Sequence, residues 1–162
     1  DSCTKADLDT DIGYATYGRV SLSLGKYDDA IFGLTKALEL NRDYPEARFN
    51  LANAYFLTEK YEQSLAEYDK ILATSGNEYR VWFNKGEAHL KLNQIGNALT
   101  CFEKVRPMRD QLPHLALRLA TCYEKTGQMP QAKQELLTVA NNNNAPENVR
   151  SIAKSYLAQI NA

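Results

Sequence analysis

The chain has 162 residues, of which 44% are hydrophobic and 24% are charged, and its formal net charge is −1. This length suits one ordinary domain or a short array of repeats. The balanced charge gives no field of a single sign, which argues against nucleic acid or an anionic membrane as a partner held by bulk charge. No segment approaches the ~20 apolar residues that span a bilayer, so direct membrane insertion is not expected.

The three cysteines, Cys3, Cys101 and Cys122, are too few and too far apart to predict a disulfide framework or a CxxC zinc or redox motif. We expect Cys101 and Cys122 to be small apolar packing residues. Because the chain begins at Asp1 without a methionine, we expect that a signal segment or part of a longer protein has been removed.

Amphipathic helices are predicted along most of the chain, since no segment alternates apolar and polar residues with period two. Each of four prolines, Pro45, Pro113, Pro130 and Pro146, precedes an amphipathic run, where proline suits the first helical turn. The predicted helix pairs cover about 12–24 and 28–41, 45–58 and 62–74, 79–92 and 96–106, and 113–126 and 130–141.

The short turns inside the pairs contain residues that suit a left-handed cap. Gly25 and Gly127 fit this conformation, Asn93 tolerates it, and Glu59 is the poorest fit. Pro107 cannot continue a regular helix, so the sixth helix should stop or kink there.

The two ends of the chain depart from this pattern. The polar run 141–144 should end the eighth helix, and a ninth helix over about 146–160 has one apolar face and one polar face. A terminal repeat needs a polar outer side, so we interpret this helix as a cap. Residues 1–11 show no periodicity and should form a loose tail.

A period of 34 residues runs through the chain. Two columns of small residues and one of large apolar residues each recur four times. They are Gly18, Ala52, Gly86 and Ala120; Ala30, Ser64, Ala98 and Ala132; and Leu34, Tyr68, Phe102 and Leu136. Such a period indicates a supersecondary unit stacked on copies of itself, which usually presents a long surface rather than a catalytic pocket. We therefore divide the chain into a tail (1–11), four repeats within 12–144 (about 11–44, 45–78, 79–112 and 113–144) and a cap (145–162).

The repeats resemble the tetratricopeptide repeat family over about residues 11–144. The third unit reads Trp82-x-x-Lys85-Gly86-x-x-His89 and then Ala98-x-x-x-Phe102, and the second has Leu51-Ala52-x-x-Tyr55. The first has Tyr17-Gly18 and the run from Gly25 to Ile31, and the fourth has Leu119-Ala120-x-x-Tyr123. The chain departs from the family in lacking its late proline, and Lys85 and His89 replace large apolar residues.

The resemblance implies an all-α solenoid of four helix-turn-helix repeats, in which the first helix of each pair lines a concave groove. It implies a module that binds a peptide or a partner protein there, and it implies no enzymatic activity. The expected partner-binding residues are Arg19, Phe49, Asn50, Asn53, Phe56, Arg80, Phe83, Asn84, Glu87, Lys91, His114 and Arg118.

Some members of this family hold the C-terminal carboxylate of a chaperone tail with Lys, Asn and Arg side chains. The matching positions here are Phe49, Asn53, Asn84, His114 and Arg118. A charged hydrogen-bonding cluster of this kind could hold a carboxylate, although Phe49 replaces a lysine. Ordinary peptide contacts are the alternative, with Asn84 and Arg118 pointing into solvent in the free protein.

No catalytic, cofactor-binding or metal-binding motif is present. His89 and His114 lack partners at metal-ligand spacing, and the alternating Asp7, Asp9 and Asp11 lack the glycine and glutamate of a calcium loop. The alternative function is a structural or docking arm of a larger bacterial envelope or secretion assembly, which would favour the bacterial periplasm or another envelope site over the cytoplasm. The sequence leaves the oligomeric state open.

Overall fold

The structure, a computed structural model, describes residues 9–76 and 78–161. Within these residues there are nine α-helices and no β-strand. They are α1 (Asp11–Ser23), α2 (Tyr27–Leu40), α3 (Pro45–Leu57), α4 (Tyr61–Ser75), α5 (Tyr79–Lys91), α6 (Ile95–Lys104), α7 (Leu115–Lys125), α8 (Met129–Ala140) and α9 (Glu147–Asn161). A 3-10 segment, Arg106–Gln111, follows α6.

Each predicted helix is present, and its ends differ from the prediction by at most two residues. The all-α helix-turn-helix repeat fold is thereby confirmed. α6 ends before Pro107, and α8 ends at Ala140, before the polar run 141–144. Residues 1–8 of the predicted tail, with Cys3 and Asp7, lie outside the described residues. None of the described helices is both long enough and apolar enough to cross a membrane.

The chain forms two compact units, one ending at Val81 and one beginning at Trp82. In the first unit, α1, α2 and α3 share a core that includes Leu34 of α2 and Leu51 of α3. In the second unit, α7, α8 and α9 share a core that includes Leu136 of α8. The predicted repeat limits remain predictions.

The three columns of the repeat are buried as the period predicts. Gly18 and Gly86 lie on the first helices of their pairs, where a methyl group added to Gly18 would lie 2.6 Å from Cγ of Leu34. The same group at Gly86 would lie 2.6 Å from Cε1 of Phe102. Every other member of the three columns is also buried, including the polar Ser64. Small residues are therefore required here because the helix backbone lies directly against a large side chain.

As predicted, the turn inside each pair has a residue with a left-handed backbone conformation at the same position of the repeat. The φ angles are 72° at Gly25, 61° at Glu59, 56° at Asn93 and 76° at Gly127. In the first turn, the N–H of Lys26 donates to the carbonyl of Ser21 at 2.9 Å, a Schellman hydrogen bond. Glu59 adopts a conformation in which its Cβ crowds the backbone, so this turn is strained.

Buried glutamates form ion pairs that the period did not predict. In the first unit, Glu67 of α4 accepts hydrogen bonds from Arg48 at 2.8 Å and from Lys70 at 2.7 Å. In the second unit, the column equivalent, Glu135, accepts from Arg106 at 2.5 Å. Since a buried carboxylate needs a partner charge, these pairs tie neighbouring elements together.

The Arg106 guanidinium is the centre of the cluster in the second unit. It donates through Nε to Glu103 at 2.7 Å and through Nη2 to the Tyr123 hydroxyl at 3.1 Å. The hydrogen bond from Arg106 lowers the pKa of Glu103, and the Glu103 carboxylate in turn raises the pKa of Arg106. The cluster thus joins the 3-10 segment to α6, α7 and α8 through polar contacts.

The last helix covers the apolar face of α8 and is tied to α7. Val149 and Ala153 of α9 are fully buried in the core with Leu136. Tyr156 of α9 donates a hydrogen bond to the Glu124 carboxylate of α7. The exposed positions of α9 are mainly polar, as a cap requires.

Replacing Glu59 with glycine should stabilise the protein. Glu59→Gly removes the left-handed strain, and we expect the free energy of unfolding to rise by about 0.5–1 kcal/mol. Glu62→Gly, in the first turn of α4, is the control and should lower it by about 0.5–1 kcal/mol. Urea unfolding of the three proteins measures the difference. If both variants lowered the free energy of unfolding by the same amount, strain at Glu59 would be contradicted.

Enlarging a small column residue should destabilise the second unit. Ala98 is fully buried, whereas its neighbour Asn97 is exposed. Ala98→Leu should therefore cost about 1–3 kcal/mol through overpacking, and Asn97→Leu should change stability by less than about 0.5 kcal/mol. Thermal unfolding followed by circular dichroism compares them. An unchanged melting temperature for Ala98→Leu would show that this position is not a tight helix contact.

Stability should fall at alkaline pH because two tyrosines hold their protons in the folded state. Burial, and then a hydrogen bond to a carboxylate, raise the pKa of Tyr123 and of Tyr156 to about 12. An unfolded tyrosine ionises near pH ~10, so the unfolded chain loses protons first as the pH rises from about 10 to about 12. The stabilisation that these two protonated tyrosines contribute is thus complete below about pH 10 and is lost as the pH rises through about 12. Tyr156→Phe should reduce the slope of unfolding free energy against pH, and an unchanged slope would contradict the role of Tyr156.

Candidate partner-binding surfaces

In the first unit, α3 carries four of the predicted binding residues, and none of the four is fully buried. The ring of Phe49 packs against Tyr68 of α4, with centroids 6.2 Å apart. The Tyr68 hydroxyl donates to Oδ1 of Asn53 at 2.6 Å, so one buried side chain supports both residues. The ring of Phe56 contacts Tyr61 edge-on, with centroids 5.4 Å apart.

A cavity of about 260 Å³ lies between α3, the end of α4 and the start of α5. It brings two predicted residues together, Phe49 and Arg80. Its lining residues are Pro45, Glu46, Phe49, Ile71, Ser75, Glu78, Arg80 and Val81. Ile71 and Val81 are buried and form an apolar floor, whereas Glu46, Glu78 and Arg80 are exposed and charged. The cavity can therefore accept an apolar group beside charged ones.

The other predicted residues of the first unit lie outside this cavity. Asn50 and Phe56 are half-buried on α3, and Arg19 is exposed near the end of α1. The structure therefore brings Phe49 and Arg80 to one cavity and links Phe49 to Asn53 through Tyr68.

In the second unit, an ion pair joins two of the predicted binding residues, one on α5 and one on α7. Nε of Arg118 donates to the Glu87 carboxylate. Side-chain exposure is 40% for Arg118 and 19% for Glu87, so the pair faces solvent on one side only. Arg118 was expected to point into solvent. Its guanidinium instead lies against the Glu87 carboxylate, because α5 and α7 pack closely enough for the two side chains to meet. An incoming carboxylate must compete with Glu87 for this guanidinium.

The remaining predicted residues of the second unit have different surroundings. The ring of Phe83 packs on Phe102 with centroids 5.5 Å apart, which places it partly in the core. His114 is exposed at the N-cap position of α7, and Lys91 is exposed in the last turn of α5. Asn84 is half-buried.

The five positions of the predicted carboxylate clamp are divided between the units. Phe49 and Asn53 belong to the first, whereas Asn84, His114 and Arg118 belong to the second. The clamp remains a prediction.

Several contacts at these surfaces were missed by sequence reasoning. They are the hydroxyl of Tyr68 on Asn53, the Glu87 partner of Arg118, and the acidic rim formed by Glu46 and Glu78. The period signalled Tyr68 only as a large core residue, and nothing in the spacing of Glu87 and Arg118 marked them as a pair.

The cysteines and one histidine can also be compared with their predicted roles. Cys101 and Cys122 are buried, which confirms their packing role, and burial raises the pKa of the Cys122 thiol to about 11. His89 is buried and contacts Gln94, with Nδ1 2.6 Å from Oε1. Among the described residues, no group of three or more His, Cys, Asp or Glu side chains could hold a metal ion.

The chain is similar to three curated proteins over about half of its length. Human DnaJ homolog subfamily C member 7 is 33% identical over 79 residues, which are 48% of this chain and 16% of that protein. Human tetratricopeptide repeat protein 12 is 26% identical over 59% of this chain and 14% of its own length. Mouse RNA polymerase II-associated protein 3 is 30% identical over 50% of this chain, which is 12% of its own length. The matched segments are thus a small part of these relatives.

Solved structures share the fold at low sequence identity. The structure described as crystal structure of MamA protein has a TM-score of 0.77 at 18% identity, covering 83% of this chain and 74% of its own. The structure of Pseudomonas aeruginosa pilF has a TM-score of 0.77 at 19% identity. The match covers 97% of this chain and 71% of that one. YrrB, described as a TPR protein with an unusual peptide-binding site, has a TM-score of 0.74 at 17% identity. The match covers 94% of this chain and 79% of that one.

Family models match along most of the chain and follow the helix pairs. One described as TPR repeat matches residues 18–59. Two described as tetratricopeptide repeat match residues 45–77 and 79–105, and residues 115–143. The columns, the turns and these matches agree, and the chain belongs to the tetratricopeptide repeat family.

Proposed function

We propose that this chain binds a peptide segment of a partner protein, and that the cavity at the start of α5 receives an apolar side chain of that peptide. Family membership and the related structures support a protein-interaction repeat module in general terms. The observation that carries the finer proposal is the cavity itself, which combines an apolar floor with a charged rim.

The floor of the cavity suits an apolar anchor. Ile71 and Val81 are almost fully buried, and Phe49 is held in place by its contact with Tyr68. A concave apolar site with a few convergent polar groups is the usual form of a recognition pocket. An anchor side chain that enters the cavity of about 260 Å³ would displace water mainly from the ring of Phe49, because Ile71 and Val81 expose little surface.

The rim of the cavity favours a cation beside the anchor. It holds two carboxylates, Glu46 and Glu78, and one guanidinium, Arg80. The excess of negative charge attracts Lys or Arg of the peptide, which sets specificity and association rate more than affinity. The proposed ligand is therefore a peptide in which an apolar residue adjoins a basic one.

Asn53 is assigned to the same peptide site, because it lies one helical turn after Phe49 and the hydroxyl of Tyr68 orients its side chain. An amide that is oriented before binding costs less conformational entropy to order. We assign Arg19, Asn50 and Phe56 to further contacts along this unit.

In the second unit, the predicted binding residues form a separate proposed contact surface. They are Phe83, Asn84, Glu87, Lys91, His114 and Arg118. The carboxylate clamp is a second proposal for part of this set, and the 40% exposure of Arg118 favours it. The Glu87 partner opposes it, because the guanidinium is already neutralised.

The alternative function is a docking arm of a larger bacterial envelope or secretion assembly. The matched segments form only 12–16% of the curated relatives, which supports the docking arm but does not bear on the bacterial envelope. An array that is one part of a longer protein can serve as a spacer or docking surface.

Filling the cavity should abolish binding of the apolar anchor. Ser75 lies on the rim and is exposed, so Ser75→Phe should block the cavity with little effect on folding. Thr74→Phe is the matched control, since Thr74 is exposed on the same helix but does not line this cavity. A degenerate peptide library with apolar–basic and apolar–acidic pairs, read by fluorescence anisotropy, supplies the ligands.

We expect apolar–basic peptides to bind the native chain and the control, and to lose at least about tenfold in affinity with Ser75→Phe. Glu78→Lys should weaken the same peptides by about two- to fivefold, in a salt-dependent manner. Capping the peptide C-terminus as an amide tests the clamp, because a clamp requires the free carboxylate. Equal affinity for Ser75→Phe and the native chain would reject the cavity as the binding site.

A further inference from the structure

A second cavity of the first unit has a basic rim. Its volume is about 290 Å³, and it lies between the loop that precedes α3 and the last two turns of α4. It shares Pro45 and Ile71 with the cavity at the start of α5, but the charged residues of the two cavities differ. We call it the basic cavity. Its lining residues are Arg42, Asp43, Tyr44, Pro45, Arg48, Lys70, Ile71, Ala73 and Thr74.

The charges around the basic cavity do not cancel. Three cations line it, Arg42, Arg48 and Lys70, together with one carboxylate, that of Asp43. A second carboxylate, Glu67, accepts hydrogen bonds from Arg48 at 2.8 Å and from Lys70 at 2.7 Å. Because three cations face these two carboxylates, the cavity keeps one positive charge in excess.

Two of the cations have structural partners, and the third is available to a ligand. The Arg48 side chain is only 17% exposed, and its Nη2 donates to the carbonyl oxygen of Arg42 at 2.6 Å. This hydrogen bond holds the backbone of Arg42 against α3. The Arg42 side chain is exposed, and within the described part of the chain its guanidinium forms no ion pair. A guanidinium that is not neutralised can donate two parallel hydrogen bonds to an incoming carboxylate.

The basic composition belongs to this cavity and not to the repeat. A cavity of the second unit lies at the matching place, 68 residues further along the chain. The positions of Arg42, Arg48 and Lys70 are occupied there by Asp110, Ala116 and Thr138. The cleft itself is therefore explained by the way in which consecutive helix pairs stack. The stacking does not explain the three cations, since the second unit forms the cleft without them.

We propose that the basic cavity binds an acidic side chain, Asp or Glu, of a partner protein, together with an apolar residue next to it. Complementary charge is the reason for choosing this occupant, because one excess positive charge matches one carboxylate. The apolar walls of the cavity receive the neighbouring residue. They are formed by Pro45, Ile71 and Ala73, and by the aliphatic stem of Lys70.

A phosphate group fits the basic cavity less well than a carboxylate. It carries about −1.5 to −2 charges at pH 7, which exceeds the single positive charge in excess. Asp43 at the rim would repel the additional negative charge. The Arg48 guanidinium is already committed to Glu67 and to the Arg42 carbonyl, so Arg42 is left as the main donor. One guanidinium suits a single carboxylate.

The two cavities of the first unit would then select opposite charges. The cavity at the start of α5 has two carboxylates on its rim and is proposed to take an apolar–basic pair, whereas the basic cavity takes an apolar–acidic pair. The second proposal does not depend on the first. Thr74 lines only the basic cavity and Ser75 lines only the other one, so substitutions at these neighbouring positions distinguish the two sites.

Filling the basic cavity tests the site. Thr74 is exposed and its hydroxyl bonds to the Ile71 carbonyl of its own helix, so Thr74→Phe should fill the cavity and leave the fold intact. Ser75→Phe is the matched control. The probes are two fluorescein-labelled peptides with capped ends, one with a Leu–Glu pair and one with a Leu–Gln pair in the same neutral sequence. Fluorescence anisotropy measures their affinities.

We expect the native chain and Ser75→Phe to bind the Leu–Glu peptide at least about tenfold more tightly than the Leu–Gln peptide, and Thr74→Phe to lose this preference. Arg42→Glu should weaken the Leu–Glu peptide by about tenfold or more, because it places a carboxylate against a carboxylate. Lys60→Glu is its control, since it changes the net charge equally at the other end of α4. It should leave the affinity within about twofold. Circular dichroism checks that each variant is folded.

Three results would overturn the proposal. One is equal affinity of the native chain for the Leu–Glu and Leu–Gln peptides. Another is an equal loss of affinity in Arg42→Glu and Lys60→Glu, which would indicate an effect of net charge alone. The third is calorimetric binding of inorganic phosphate that Arg42→Glu removes, without any preference for the Leu–Glu peptide, which would leave the cavity to a small anion. Failure of apolar–basic peptides at the other cavity would change none of these measurements.

Discussion

In the first and third helix pairs, a glycine on the first helix lies against a large side chain on the second. Gly18 faces Leu34 and Gly86 faces Phe102 at distances that leave no room for a methyl group. This close approach fixes the angle between the two helices, because the large side chain fits only where the small residue is. The turn inside the pair, with its left-handed residue, is set by the same approach. Glu59 accepts a strained conformation in the second pair, which shows that packing outweighs the local preference of the turn.

In the second repeat, the residue in the large apolar column also contacts two of the candidate binding residues. Tyr68 occupies it in the second repeat, where Leu34, Phe102 and Leu136 occupy it elsewhere. Only tyrosine adds a hydroxyl, and this hydroxyl donates a hydrogen bond to Asn53 on α3. The same ring also supports Phe49. A core position that is apolar in three repeats therefore orients two candidate binding residues in the second repeat.

Regular features of the fold could be predicted from the sequence, and individual polar contacts could not. The period places a residue on a helix face, so it predicted the burial of Ala98 and the turn at Asn93. It cannot predict which polar side chains meet, since the partner of Arg118 lies 31 residues earlier on another helix. The cluster around Arg106 is a further case, because the positions that match Arg106 in the other repeats hold apolar residues, Leu38, Leu72 and Ala140. The cavity at the start of α5 was missed for the same reason, since its rim combines residues from three helices.

At each end of the array, the apolar face of the terminal helix must be covered or remain exposed to water, and the two ends differ in this. At the C-terminal end, α9 buries Val149 and Ala153 on α8 and leaves a mainly polar surface to solvent. At the other end, α1 keeps Val20 and Leu24 exposed, although an alanine or a cysteine in the Val20 column is fully buried in every later repeat. Exposed apolar area of this kind costs free energy in water unless another surface covers it. These residues do not line the peptide cavity, so recognition of the proposed peptide does not explain why they are large and apolar.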